Sequence, residues 1–319
     1  MTAQVPTNVP PTSPDGDAGS WAPCSDRSRD RRDSLVGTAG FGAKWLLVEI
    51  DGSWGEHAFL QSRINTDIGR AIVRRAEAAG LRPVAIRRFG RRADERRASS
   101  GHRWAIADAR QGRISMRWGS VDDPAELLEI PLDGSTGHPT TEPAYLVCTH
   151  ARHDRCCAVR GRPVAQALAH ADPENTWECS HLGGDRFATT MIVLPHGLCY
   201  GRVPAERAHE ILTATREGRI VRDLFRGRSS LPNVIQAAQA FARQELDEDH
   251  IDTLPPLPDA IHQTGSQWTV ALAHAHQTVR VRLNEDWSQP LLSTCAARIA
   301  APVRTYEPVS LHFTSPPGQ

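Results

Sequence analysis

The sequence is almost without lysine. Lys44 is the only one among 37 basic residues, and arginine supplies the rest. There is no charge excess either, because 37 acidic residues bring the formal net charge to zero. A balanced chain offers no electrostatic footprint for nucleic acid or an anionic membrane surface. No run reaches the roughly 18 apolar residues that a membrane helix needs. The N-terminus has neither the basic start nor the apolar stretch of a secretory signal, so a cytoplasmic location is expected. There is also no Cys-x-x-Cys pair, the signature expected of a thioredoxin-type thiol exchange enzyme.

What the sequence does have is cysteine concentrated in one stretch. Seven occur, at positions 24, 148, 156, 157, 179, 199 and 295. An odd number fits a disulfide scaffold poorly, and a reducing compartment would keep them as thiols. Four of the seven fall between Cys148 and Cys179, a clustering that packing alone does not require.

Residues 1–36 are rich in Pro, Ser, Asp and Arg with little apolar periodicity, and a disordered tail is expected there. An N-terminal α/β lobe follows over residues 37–140. WLLVEI (45–50) reads as a buried strand, and Asp67–Ala79 as a helix with Ile68, Ala71, Ile72 and Ala76 on one face. PVAIRR (83–88), RWAIAD (103–108) and ISMRW (114–118) read as three strands, and DDPAELLEI (122–130) as a capped helix start. Residues 141–218 repeat the order. AYLVCT (144–149) is a strand, Pro163 opens a helix, and TWECS (176–180) is a strand. TTMIVL and LCYGRV form a hairpin, and Pro204 opens a helix. Strand–helix–strand, hairpin, helix is the order of a thioredoxin-like domain, and the first lobe reads as a degenerate copy.

Residues 219–319 read as a small α+β accessory region. It has an amphipathic helix (231–246), a Pro-rich connector (254–258) and half-exposed strands over 267–273, 278–284 and 306–313.

The chemistry lies in CTHARHDRCCAVRGRP and WECSHLGGDRF. Cys148 and Cys179 end adjacent strands, Cys157 precedes a helix, and His181 begins a loop. In α/β folds, residues beyond the carboxyl ends of strands gather into one site. Thiolates with imidazole suit zinc or an iron–sulfur cluster. Structural zinc sites usually present tight cysteine pairs, whereas eight residues separate Cys148 from Cys157, and a longer loop suits a dinuclear cluster. Gly183 and Gly184 allow close backbone approach, and Asp185 and Arg186 stand beside them. Arg152, Arg155, Arg160, Arg162 and Arg202 surround these loops. Cys24, Cys156, Cys199 and Cys295 read as small buried hydrophobes, and His150 and His153 as loop residues or as neighbours of the ligands rather than ligands.

VCTHARHDRCCAVRGRP, WECSHLGGDRFATT and VLPHGLCYGRV resemble the sucrase/ferredoxin-like family of thioredoxin-like [2Fe–2S] ferredoxins. The resemblance extends at lower density over residues 36–217. It implies a [2Fe–2S] cluster held by two cysteines, carried over to Cys148 and Cys157, and by the histidines of an HxxxH loop. The first histidine carries over to His181. The second position is Asp185 here, so the fourth ligand is expected to be Cys179, with Asp185 as its rival. Thiolate ligates such clusters far more commonly than carboxylate.

The expected function is one-electron transfer to an unidentified redox partner protein, with no catalytic residue assigned. A thiol redox enzyme and a zinc-stabilised binding module are the competing readings. The first would have only the adjacent Cys156 and Cys157 to work with, and the second would be colourless.

Overall fold

A computed structural model describes residues 22–90 and 101–314; the first 21 residues of the expected tail lie outside this range. A short helix, α1 (Cys24–Asp30), comes first. The first half then runs β1 (Lys44–Glu49), α2 (Thr66–Ala78), β2 (Arg82–Arg87), β3 (His102–Asp108), β4 (Ser115–Val121) and β5 (His138–Thr140). The second half is β6 (Ala144–Cys148), α3 (Arg155–Ala171), β7 (Thr176–Cys179), β8 (Met191–Leu194), β9 (Leu198–Tyr200), α4 (Ala208–Arg216) and β10 (Phe225–Arg228). Last come α5 (Asn233–Leu246), β11 (Pro256–Thr264), β12 (Gln267–His274), β13 (Gln277–Trp287) and β14 (Arg304–Thr314).

Ten strands form one sheet in the order β10-β9-β8-β6-β7-β2-β1-β3-β4-β5. Both halves use one arrangement. In the second, β6 is parallel to β7 and antiparallel to β8, which pairs with β9. In the first, β1 is parallel to β2 and antiparallel to β3, which pairs with β4. The chain is therefore mixed α/β, with the thioredoxin-like strand order twice. After β4, however, a 3-10 turn (Pro124–Leu128, capped by Asp123) replaces a full helix.

The halves join where β2 pairs antiparallel with β7, placing Ile86 opposite Cys179 and Arg87 opposite Glu178. The Arg87 and Glu178 side chains form an ion pair at 2.9 Å, both largely buried. Arg87 also donates to the Gly52 carbonyl at 2.6 Å. One apolar core runs across the seam on a single face, through Leu47, Ile86, Leu146 and Trp177. On the other face each half has its own core. Val48 and Ile72 lie in one, and Val147, Val164 and Ile211 in the other. Strands buried on both faces need continuous apolar runs, which LLV and YLV provide.

Four expectations need correction. Residues 22–36 are ordered: Cys24, Ser25 and Ser28 of α1 are buried. Arginines from the second half hold them, since Arg160 donates to the Ser25 hydroxyl at 3.0 Å and Arg202 to the Asp33 carbonyl at 2.7 Å. Pro163 does not open its helix but lies inside it. The start is set by Asp154, whose Oδ1 accepts from the Cys156 amide at 2.8 Å, so Cys156 and Cys157 sit on the first helical turn. The expected connector at 254–258 runs into a strand, β11, the edge of a second sheet ordered β11-β12-β13-β14. Finally β10, from the stretch assigned to the accessory region, completes the large sheet beside β9.

The second sheet alternates as its pattern implies: Val279, Val281 and Leu283 are buried, and Arg280 and Arg282 exposed. The buried positions pack with Val234, Ala237 and Ala238 of α5. No helix among the described residues is long and apolar enough to cross a membrane.

Candidate metal centre

β6 ends on Cys148, and a six-residue loop returns the chain to α3, whose first turn carries Cys157. Helix and strand end come close because residue 161 is glycine. A Cβ there would lie 2.2 Å from the Cys148 carbonyl oxygen. Next to β6, β7 ends on Cys179, and the loop after it brings His181 and Asp185 to the same place. Gly183 and Gly184 both have positive φ, which lets that loop turn tightly. A Cβ on Gly184 would meet the Arg226 guanidinium at 2.3 Å.

Four side chains converge. The Cys148 sulfur is within hydrogen-bonding reach of the Cys157 thiol and the His181 imidazole. Cys157 Sγ lies 3.3 Å from Asp185 Oδ1. His181 Nδ1 lies 3.0 Å from the same oxygen, yet out of line for a hydrogen bond, so this buried nitrogen has no hydrogen-bond partner. Such an orphaned donor amid two thiols and a carboxylate suits a metal-bound group, since imidazole and thiolate are ligands that iron accepts. Cys148, Cys157, His181 and Asp185 could hold it.

The electrostatics follow from burial and crowding. The adjacent Cys157 thiol, then the adjacent His181 imidazole, hold the Cys148 thiol well below its ordinary pKa against the opposing effect of burial. The same contact with Cys148, together with burial, pushes Cys157 well up. Burial alone would lower His181, but Asp185 and Cys148 overcome it and raise the imidazole to about 9. Burial likewise works against ionising Asp185, and His181 more than offsets it, leaving the carboxyl below its usual range.

Cys179 sits opposite Cys148 in the parallel pair. Its thiol is pushed well up, by burial first and the neighbouring Cys148 second, and among the described residues it has no hydrogen bond to any of the four. Arg186 pairs with Asp33 at 3.5 Å rather than reaching them. Sequence reasoning missed Arg226, which is buried, donates to the Gly183 carbonyl at 3.0 Å and supports the glycine loop. His153 lies in the loop beside His181. The His153 ring stacks on His181 with centroids 3.7 Å apart, and its Nε2 is 3.7 Å from Asp185 Oδ2. His150 is tied to the first half instead, through the Gly55 carbonyl at 2.6 Å and the Trp54 ring. A groove of about 670 Å³, lined by His57, Phe59, Arg70, His150, His153 and His181, opens beside the site.

The sucrase/ferredoxin-like family matches residues 35–227 of the sequence. The chain belongs to that family. The match takes in both halves of the large sheet and ends within β10. Among solved structures, this family member is similar to a thioredoxin-like [2Fe–2S] ferredoxin from Aquifex aeolicus, at 22% identity over 29% of this chain and 97% of that one, with a TM-score of 0.25. It is also similar to a cysteine-to-serine variant of that ferredoxin, at 23% identity over 26% and 97%, with a TM-score of 0.23. No curated protein matches the chain.

Proposed function

We propose that the protein is a one-electron carrier holding a [2Fe–2S] cluster through Cys148, Cys157, His181 and Asp185, and that it serves a protein redox partner in the cytoplasm. The observation that carries this reading is the convergence of those four side chains at the end of β6, with His181 Nδ1 lacking any in-line hydrogen bond. A bound cluster would supply reversible one-electron chemistry.

The protein's own groups do the rest. Burial of Cys148 and Cys157 keeps water from the sulfurs. His181, with 30% of its side chain exposed, and His153 stacked on it provide the face through which a partner approaches and a proton is exchanged. The fourth position goes to Asp185 rather than Cys179, because Asp185 Oδ1 lies 3.3 Å from Cys157 Sγ and 3.0 Å from His181 Nδ1, whereas among the described residues Cys179 has no hydrogen bond to either.

Anaerobic purification followed by absorption and EPR spectra tests the reading. A coloured protein with about two irons per chain and an EPR signal on one-electron reduction is expected. Colourless, iron-free protein would overturn it. Cys179→Ser should leave the spectrum in place, whereas Asp185→Ala should shift or abolish it; the reverse pattern returns the fourth position to Cys179. Protonation of an imidazole on reduction would lower the midpoint potential with rising pH, by up to about 59 mV per unit.

A further inference from the structure

Three cysteines that are remote in sequence meet on the far side of the Cys156–Cys157 pair. Cys24 begins α1, Cys156 lies in the first turn of α3, and Cys295 lies between β13 and β14. Their sulfurs form a closed triangle. Cys156 to Cys295 is 3.2 Å, Cys24 to Cys295 is 3.5 Å, and Cys24 to Cys156 is 3.6 Å. The Asp154 carboxylate stands at the same point, its Oδ2 3.6 Å from Cys24 Sγ. We propose that Cys24, Cys156 and Cys295, completed by Asp154, form a mononuclear site for a thiophilic divalent cation such as zinc, separate from the Cys148 centre.

Distances favour a single ion over the alternatives. Ligands at a metal–sulfur length of about 2.3 Å in a tetrahedron stand about 3.8 Å apart, close to all three observed edges. A disulfide would bring one pair to about 2.05 Å and leave the third sulfur outside, whereas here the three separations are nearly equal. Simple packing of three small hydrophobes explains the site less well. Cys24 and Cys156 are fully buried, yet beside them lies a carboxylate that is itself only 2% exposed. A buried carboxylate among thiols is costly unless something positive accompanies it.

The surrounding donors also suit sulfurs that carry negative charge. Ser25 offers its hydroxyl to Cys156 Sγ at 3.4 Å, and the Cys24 amide points at Cys295 Sγ at 3.5 Å. Asp154 is oriented by the amides of Cys156 at 2.8 Å and Cys295 at 2.7 Å. Outer contacts of this kind orient ligands and tune a bound metal. Cys24 and Cys295 both lie outside the segment matched by the family, whereas Asp154 and Cys156 lie inside it, so the site joins the flanking segments to the matched one. An ion here would pin α1 and the 295 loop to the first turn of α3, one residue from Cys157.

Metal analysis of the purified full chain from zinc-supplemented culture tests the site. About one zinc per chain is expected, falling at least about fivefold in Cys24→Ser and in Cys295→Ser and unchanged in Cys148→Ser. Should a serine variant fail to fold, protein grown with cobalt supplies the check. A thiolate-to-cobalt absorption band in the wild type supports the site, and its absence overturns it. Zinc below about a tenth of an equivalent, zinc indifferent to both Cys24→Ser and Cys295→Ser, zinc lost only with Cys148, or a disulfide among the three seen by intact mass would each overturn the proposal.

Discussion

The two halves of the large sheet share strand order and pairing, yet only one carries a thiol site. Matching the parallel pairs shows where they diverge. Cys148 pairs with Cys179 across β6–β7, and Glu49 pairs with Ile86 across β1–β2, so Glu49 holds the place of Cys148. The connection to the helix differs as well. Six residues join β6 to α3, whereas the stretch from Ile50 to Asn65 before α2 is long and packs Trp54, Ala58 and Phe59 into a core. A short loop returns the helix start to the strand end, where a second thiol can face the first. A long apolar loop instead builds a wall, and its Trp54 and Gly55 support His150 in the other half. One topology thus yields a site or a scaffold according to loop length and two residue choices.

The largest expected effect tests that contrast directly. Cys148→Ser should remove essentially all visible absorbance, whereas Glu49→Gln, its counterpart, should leave the spectrum intact. Equal losses would mean that the halves do not divide the work.

The seam comes next. Arg87→Ala would strand Glu178 in a largely buried position, and a loss of about 3 kcal/mol is expected in denaturant unfolding. A loss well under 1 kcal/mol would show that the halves are held by apolar packing alone.

Helix contacts allow a finer comparison. Each half has a glycine where its helix meets a carbonyl: Gly161 against Cys148, and Gly69 against Phe59, where a Cβ would lie 1.9 Å from the oxygen. Alanine at either should cost about 1–3 kcal/mol, but only Gly161→Ala should also reduce bound iron. Iron loss with Gly69→Ala would contradict the division.

The smallest effect is on pH dependence, in cluster-free protein. The folded pKa of His181 is raised to about 9, so its contribution is complete below the unfolded value near 6.5 and is lost as pH rises through 9. Cys148 is shifted down, so its contribution is complete above the unfolded value near 8.5 and is lost as pH falls through the folded one. Between about 6.5 and 8.5 the two slopes oppose each other, because folding moves one proton from Cys148 to His181. The melting temperature should be nearly flat there. In Cys148→Ser it should fall with rising pH, and a flat profile in that variant would remove the His181 contribution.

Much of this was legible in the chain. Apolar runs at 45–50 and 144–149 and the helical spacing of Ile68, Ile72 and Ala76 identified the α/β order, because burial periodicity is a local property. Cys148, Cys157 and His181 could be picked out because strand ends and loops advertise themselves locally. The Asp154 cap is written in the sequence too, but Pro163 is an equally local helix-start signal, and only the fold shows that the cap sets the start.

By itself, then, the sequence determined the order of elements, the repeat and the stretch that carries the thiols. Tertiary structure decided which of the rest meet them. Asp185 and His153 approach His181, Cys179 packs in the same core as Cys148 and Cys157, and Cys24 and Cys295, 271 residues apart, close on Cys156. Periodicity reports only which face of an element is buried. Contact across such separations depends on how whole elements pack, and no local pattern encodes that.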